Sequence, residues 1–486
     1  MAGTQNLRYA TEYQLDGVTL ISSVNGGIID LTPQLIELSL FEDIYSATIS
    51  GNLVLSDALG LLSNFRINGT EFIQISIRKF SQDNNPIQRT FRVFKVSNRT
   101  VNLSNAYEVY TLNFCSEEFL FSEQYRISKG YRNTKISDII TDILTNYVMV
   151  GGNTTSPNSS AANGPPAPNN PGTKNIHIEP TKGVYDFVLP NKKLFETINW
   201  LSIYSQPANQ PGADMLFYEN NYGYFFNSLQ SLYGQTAYQT YFYNPKNIST
   251  EIKDQVINVT DFQVLNFFDT LEAVSNGTFA NKTITFDILT RTKRTNNMYS
   301  YDNYLYLNNP TTLNPYPVTN NYQNRRGDAM YQVMDGVDLE MGALRMATGN
   351  HQDKMNSYVM ASKGGANNVA NDIFIETYLK NRVGQLGLIN YTRIKIIVPG
   401  DPSLAVGKTV NFKTFAVSPS TYSGGERVFD PFYSGKYLVT ACRHVINGPE
   451  GTYITVLELS KESVSESYSA YNNSDPLVQS IVNGIQ

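Results

Sequence analysis

Histidine, cysteine and tryptophan are scarce in this chain of 486 residues: three His, two Cys and one Trp. Cys115 and Cys442 form no CxxC pair and no Cys/His cluster, which excludes a disulfide framework and a zinc site. Each lies near the end of a stretch that reads as β, and both are expected to be small core residues. His177 borders a polar loop with no acid–base partner in sequence, and His444, beside Arg443, reads as a structural strand histidine. No HExxH, GxSxG, GxGxxG or GxxxxGK[ST] motif occurs. A pair of distant carboxylates of the glycosidase kind is not excluded, yet nothing points to one. The expectation is a protein that is not an enzyme and carries no metal or cofactor. No run of about 18 apolar residues is present. The start, MAGTQNLRYATEYQLDG, has neither a basic nor an apolar segment, so a soluble chain in a cytoplasm-like compartment is expected. A net charge of −5 and a pI near 5.4 argue against a nucleic-acid surface, which would show a basic stripe.

Aromatic residues, by contrast, are plentiful, with 33 Tyr and 25 Phe. Together with β-branched residues they favour strands. Residues 17–116 look almost purely β: Ile73, Ile75 and Ile77 alternate with polar residues, as do Tyr110, Leu112 and Phe114. A short turn of helix is expected after Asp57, with Asp57 as its cap. Ile136, Ile139, Ile140, Ile143, Leu144 and Tyr147 follow helical spacing over 134–148, with Thr134 as cap. A second helix is expected after Pro190, capped by Asn191 and striped by Leu194, Ile198 and Leu201. ADMLFYENNYGYFF reads as a hairpin, Met215–Tyr218 turning through Asn220-Asn221 into Tyr224–Phe226. The 151–175 segment is built almost wholly from Gly, Asn, Thr, Ser, Pro and Ala and is expected to be a mobile loop. Further helices are expected near Asp372–Gln385 and, in a polar tail, after Asp475-Pro476.

One pattern occurs twice, 226 residues apart: Phe41-x-Asp43-x3-Ala47-x3-Gly51 and Phe267-x-Asp269-x3-Ala273-x3-Gly277. The two halves also close alike. Phe91 and Tyr107 stand 16 apart, as do Tyr437 and Tyr453, each pair spanning a strand, a polar turn and a returning strand. A Gly-led strand precedes each closing pair, Gly69 to Ile75 and Gly407 to Phe412. The shared order implies a duplicated β module, its second copy interrupted after Thr290 by a Met-rich insert. Phe41, Asp43, Gly51, Phe267, Asp269 and Gly277 are therefore the candidate interface or structural residues. Arg326-Gly-Asp328, the acidic Asp335–Glu340 cluster and the basic run Arg291, Lys293, Arg294 read as solvated loops; the acids lack the order of a calcium-binding loop.

FEDIYSATISGNLVLSDALGLLSNFRINGTEFIQISI resembles the first β barrel of baseplate hub proteins from contractile-tailed bacteriophages. LFETINWLSIYS with ADMLFYENNYGYFFNSLQSLY is similar to that family's middle region. GDPSLAVGKTVNF and SGKYLVTACRHVIN resemble its second barrel. These segments cover about half of the chain, in the family's order. The resemblance implies an α+β, β-dominated fold with two similar antiparallel β-barrel (tube-like) domains, a mixed α/β middle domain and an insertion in the second barrel. The expected division is 1–116 for the first barrel, 117–250 for the middle domain with loop 151–175, 251–290 plus 388–465 for the split second barrel, 291–387 for the insertion and 466–486 for the tail. The long loop and the large insert depart from a minimal hub.

The implied role is a structural hub: a homotrimer forming a pseudo-sixfold ring that adapts a trimeric central spike to a hexameric tail tube and nucleates tube assembly. The implied partners are its own copies, the tail tube or a tube-initiator protein, the spike, baseplate wedge proteins and the tape-measure protein. DNA would pass through the lumen without specific binding, and no membrane insertion is implied. The location would be the virion tail baseplate, assembled in the host cytoplasm. Two other readings stay open: the base of a type VI secretion or contractile-injection spike, and a receptor- or glycan-binding tail protein. A C-terminal spike barrel with β-helical repeats, expected of the first, is not seen in the last ~20 residues.

Overall fold

The structure is a computed structural model that describes residues 10–22, 27–79, 87–102, 107–150, 174–209, 213–244, 252–267, 269–275, 280–287, 292–299, 314–315, 343–348, 382–387, 389–415, 422–423, 426–427, 429–430 and 432–464. Alternating apolar residues build its dominant element, a 13-stranded sheet. Along Phe72–Lys79 burial alternates residue by residue, and Ile73, Ile75 and Ile77 are fully buried. Tyr110, Leu112 and Phe114 are likewise buried along Tyr107–Cys115.

The strands run in the order Asp261–Phe267, Thr392–Pro399, Thr452–Lys461, Gly435–Asn447, Leu35–Asp43, Ser50–Asp57, Tyr107–Cys115, Ile87–Asn102, Phe72–Lys79, Tyr13–Ile21 and Ile28–Asp30. The strand Thr409–Thr414 pairs with the start of Gly435–Asn447 and carries Thr240–Tyr243 on its other side. Two arrays, one from each half of the chain, thus meet edge to edge where Gly435–Asn447 pairs with Leu35–Asp43. The sheet is β-rich and largely antiparallel and runs continuously through both arrays, and among the described residues neither array closes into a barrel.

Three apolar cores lie against it. One, from Val18 to Phe114 with Ile446 and Tyr453, underlies the first array; one, with Ile394, Ile396, Phe412, Tyr437 and Leu459, underlies the second. The third belongs to the segment between them, where Ile136, Ile139, Ile140, Ile143 and Leu144 pack against Phe195, Ile198, Met215 and Tyr224.

The expected helix over 134–148 forms as Ile136–Asp142 followed by a π-helical turn Ile143–Tyr147. Its expected cap does not form: Thr134 ends the strand Gly130–Thr134, and its hydroxyl donates to the Arg132 carbonyl. The second helix, Leu194–Tyr204, starts two residues later than expected. Asn191 adopts a positive φ of 49° in the preceding turn, and Lys193 takes the cap position. Asp57 does cap its turn, accepting from the N–H groups of Leu59, Gly60 and Leu61 at 2.8, 2.9 and 2.6 Å. The hairpin forms as Met215–Asn220 and Gly223–Ser228. A helix over 382–387 overlaps the end of the expected 372–385 region, whose earlier residues lie outside the described ones. Most of loop 151–175, the Arg326-Gly-Asp328 and Asp335–Glu340 stretches, His351 and the tail beyond Val464 lie outside the described residues.

Candidate functional site: the junction of the two arrays

The two arrays repeat one another in their ladders. In the first, Ile87–Asn102 pairs with Tyr107–Cys115, and the register shifts between Val93 and Lys95. In the second, Gly435–Asn447 pairs with Thr452–Lys461, and the register shifts between Val439 and Ala441. Both therefore carry a one-residue bulge, at Phe94 and at Thr440, just beyond the part of the strand paired with the Gly-led strand, and the first ladder shifts once more between Ser97 and Thr100. The leading glycines also match: Gly69 and Gly407 have φ of 90° and 86°, a conformation that only glycine adopts without strain. Strand order completes the repeat, with Leu35–Asp43, Ser50–Asp57, Tyr107–Cys115 and Ile87–Asn102 answered by Asp261–Phe267, Thr392–Pro399, Thr452–Lys461 and Gly435–Asn447.

At the junction, Arg443 stands opposite Phe41, with His444 opposite Leu40 and Asn447 opposite Glu37. The Arg443 guanidinium lies 5.3 Å from the Phe41 ring centre and forms an ion pair with Glu37 at 2.9 Å. Beside the ladder sits a buried polar knot built on the turn Glu219–Tyr222 of the hairpin. Glu219 accepts from the Ile49 N–H at 2.9 Å and from the Ser116 hydroxyl at 2.6 Å, both in the first array. The Lys174 ammonium bridges Glu219 at 2.6 Å and Glu118 at 2.5 Å. Arg89 donates to the Asn221 carbonyl. On the other side, Asn220 donates to the Val406 carbonyl at 2.9 Å, and the Tyr222 hydroxyl donates to the Ser403 carbonyl at 3.0 Å. Lys408 donates to Tyr222 and to the Ser403 carbonyl, at 2.9 and 2.6 Å.

Glu42 is the link common to all three parts. It belongs to the first array, accepts from the Asn221 N–H of the turn at 2.9 Å and accepts from the Val406 N–H of the second array at 3.0 Å. Burial pushes its carboxyl up to about 7, against the opposing pull of those two N–H groups and the Arg89 charge. His444 is buried between Tyr453, whose hydroxyl lies 2.8 Å from Nδ1, and Cys442, whose sulfur lies 3.4 Å from Nε2. Burial holds His444 down to about 4, so at neutral pH it is an uncharged packing element. This arrangement suits fastening the two arrays together: its acids and bases face each other and backbone groups. Among the described residues no group of three metal-ligating side chains occurs.

No family model matches the sequence, and no curated protein does. Among solved structures, the tail protein from Neisseria meningitidis MC58 is similar over 93% of this chain and 98% of its own, with a TM-score of 0.50 and 8% identity. The chain has the fold of this tail protein. The 43 kDa tail protein of prophage MuSo2 from Shewanella oneidensis follows, with a TM-score of 0.47 and 7% identity over 92% and 98% of the two chains. Prophage tail protein gp18 from Listeria monocytogenes EGD-e matches 97% of this chain and 99% of its own, with a TM-score of 0.40 and 9% identity.

Within this tail-protein fold the six sequence-selected residues fall in different places. Phe41 and Asp43 lie on the junction strand, opposite Arg443 and Ala441, and Asp43 accepts from the Tyr45 N–H at 2.8 Å. Gly51 lies on Ser50–Asp57, where a Cβ would meet the Phe114 ring at 2.4 Å and the Ser39 carbonyl oxygen at 2.6 Å. Phe267 ends the outermost strand of the second array, and Asp269 accepts from the Glu272 N–H at 2.8 Å at the start of a helix, Thr270–Ser275. Gly277 lies outside the described residues.

The ladder also corrects the alignment of the two motifs. Phe41 faces Ser50, which faces Cys115; the matching chain of partners in the second array is Asn266, Arg393 and Ser460. Phe41 thus corresponds to Asn266, one residue away from Phe267, and a one-residue offset reverses which face a side chain takes. Gly51 corresponds to Ile394, because the strand Ala280–Asp287 joins Thr292–Tyr299 and Ala343–Thr348 in a separate sheet. Sequence reasoning missed Glu42, Arg89, Lys174 and Glu219. Glu219 carried a signal: a charged residue inside the fully buried strand MLFYEN.

Proposed function

We propose that this protein is the baseplate hub of a contractile phage tail, a homotrimer whose two arrays per subunit present six similar lobes to a hexameric tail tube. The observation that carries the reading is the repeat itself: two arrays with one strand order and one bulge position, already joined side by side in a single sheet. A ring needs heterologous contacts that close, and a subunit holding two equivalent units turns three copies into six positions. Each array is proposed to be the wall of a tube-like barrel, completed in the assembly, with the division 1–116, 117–250, 251–290 plus 388–465, 291–387 and 466–486.

In this reading the hub joins the tube or its initiator on one side and the trimeric spike on the other, with wedge proteins around it. It acts by geometry, without catalysis or cofactor, in the virion baseplate. The sheet face away from the apolar cores carries ion pairs, Arg443 with Glu37 and Arg393 with Glu458 at 2.6 Å. Compensated charge of this kind suits a lumen that lets DNA pass without holding phosphate. Light scattering at micromolar concentration, followed by negative-stain imaging, tests the proposal. A mass of three subunits and a six-lobed ring support it. A monomer that neither forms rings nor binds tube protein overturns it.

A further inference from the structure

The two arrays differ in what covers their matching strand ends. In the first, the end positions Glu42, Ile49 and Ser116 are held by the hairpin turn: Glu42 accepts from the Asn221 N–H, and Ile49 and Ser116 donate to Glu219. The ladder gives their counterparts in the second array as Phe267, Thr392 and Lys461, which stand side by side in register. A loop takes the place of the turn there. Lys461 donates to the Phe432 and Ser434 carbonyls at 2.5 and 3.2 Å, and the Phe267 ring centre lies 5.3 Å from Tyr433 and 6.4 Å from Phe432. Phe429 extends the cluster, 6.4 Å from Phe242. The outer side of this covering is apolar. Phe429 is 38% and Phe432 40% exposed, and Leu271, in the helix Thr270–Ser275 after Phe267, is 83% exposed. Large apolar groups gathered in one place mark a contact surface.

The chain itself carries an occupant to this place. The strand Thr452–Lys461 ends here, two strands from Phe267, or about 10 Å. Further along, residues 475–486 read DPLVQSIVNGIQ. Leu477, Ile481 and Ile485 fall on one helical stripe flanked by Val478 and Val482, behind the Asp475-Pro476 start. A helix of this length is marginal in water by itself, so its stripe needs a surface to bury against. The ten residues 465–474 before it can span about 33 Å, well beyond the distance required. Charge agrees as well. Residues 465–486 hold Glu466 and Asp475 and no Lys or Arg, while the Lys413 ammonium lies over the Phe429 and Phe242 rings at 5.1 and 5.6 Å.

We infer that residues 475–486 dock as an amphipathic helix on this end of the second array in their own chain, with the aliphatic stripe over Leu271, Phe429 and Phe432. The segment then covers the second array where the hairpin turn covers the first. This docking is independent of the ring and holds for one copy or for three.

The experiment uses the full chain with photoreactive benzoylphenylalanine in place of Ile481, irradiated and mapped by peptide mass spectrometry. The expected product keeps the mass of one subunit and joins position 481 to the peptides that hold Leu271, Phe429 or Phe432. The same group in place of Asn483, on the opposite face of the helix, should give little of it. Leu271→Glu with Phe429→Glu should remove the product. Deleting residues 475–486 should raise hydrogen exchange several-fold at 269–275 and 429–434 and leave Ile49 and Ser116 unchanged; circular dichroism checks that these variants keep the parent fold. A product of two-subunit mass puts the segment on another copy and overturns the inference. So does joining to any other region, or equal yields from positions 481 and 483. Light scattering decides the ring separately, and neither a monomer nor a trimer alters these outcomes.

Discussion

The two arrays share a ladder and differ in almost everything attached to it. In the first, the outer strand Leu35–Asp43 turns directly into Ser50–Asp57. In the second, the equivalent strands Asp261–Phe267 and Thr392–Pro399 pair just as closely although the chain leaves the sheet between them. A turn and a long excursion are thus interchangeable, because loop-closure entropy grows only slowly with length whereas the ladder bonds are the same. The cores differ too. Gly51 faces Phe114 in the first array, and Ile394 faces Leu459 in the second, so a small residue against a large one is replaced by two of intermediate size. What is preserved between the halves is backbone register and filled volume, not residue identity.

The largest expected asymmetry concerns the polar knot, which holds the first array through Glu219 and the second through Glu42. Lys174→Ala leaves the buried Glu219 and the half-buried Glu118 without this ion pair, and the loss should be about 3–5 kcal/mol. Urea unfolding measures it, and hydrogen exchange should rise first around Ile49 and Ser116. Equal loosening of both arrays would break the assignment of Glu219 to the first.

Next in size is the exchanged pair of core positions. Ile394→Ala opens a cavity and should cost about 2–5 kcal/mol. Gly51→Ala overpacks against the Phe114 ring and the Ser39 carbonyl and should cost about 1–3 kcal/mol. Adding Phe114→Leu should restore part of the Gly51→Ala loss by vacating the space, whereas Leu459→Ala added to Ile394→Ala should deepen its loss. Thermal melts of the four variants decide it; a Phe114→Leu change that only adds to the damage would refute the volume argument.

A test by pH addresses the link between the arrays, and at any single pH inside the window only part of its effect is seen. Glu42 keeps its proton in the folded state up to about 7, while the unfolded chain releases it near 4.5. Between those values the folded form binds more protons, so this group's contribution to stability falls as pH rises. At about 1.4 kcal/mol per unit the fall is on the order of 3 kcal/mol across the window, and it is complete above pH 7. Glu42→Gln should flatten the slope of unfolding free energy between pH 4.5 and 7, seen in denaturant titrations at several pH values. An unchanged slope would place the titrating group elsewhere.

Period-two alternation made most strands legible, because burial of one face forces it: Ile73 to Ile77 and Tyr110 to Phe114 can be read directly. The helical stripe from Ile136 to Leu144 was equally plain. Helix starts were not, since Thr134 and Asn191 are good caps in isolation but were taken up by a strand and a left-handed turn. Duplication was visible in the equal spacing of Phe91 with Tyr107 and Tyr437 with Tyr453. The repeated Phe-x-Asp motif pointed the same way but one residue out of register. The candidate site was almost hidden: Glu42, Lys174 and Glu219 come from distant segments, and no spacing rule links them.

The sequence by itself determined that the protein is β-dominated, that its halves are alike and that it holds none of the usual catalytic motifs, because composition, alternation and motif spacing are local properties of the chain. Only the tertiary structure decided that the halves form one sheet, that Thr392–Pro399 rather than Ala280–Asp287 continues the second ladder, and that three segments lock through Glu42 and Glu219. Those outcomes depend on which edges and buried charges find partners far along the chain, and a strand's own residues specify its faces but not its neighbour.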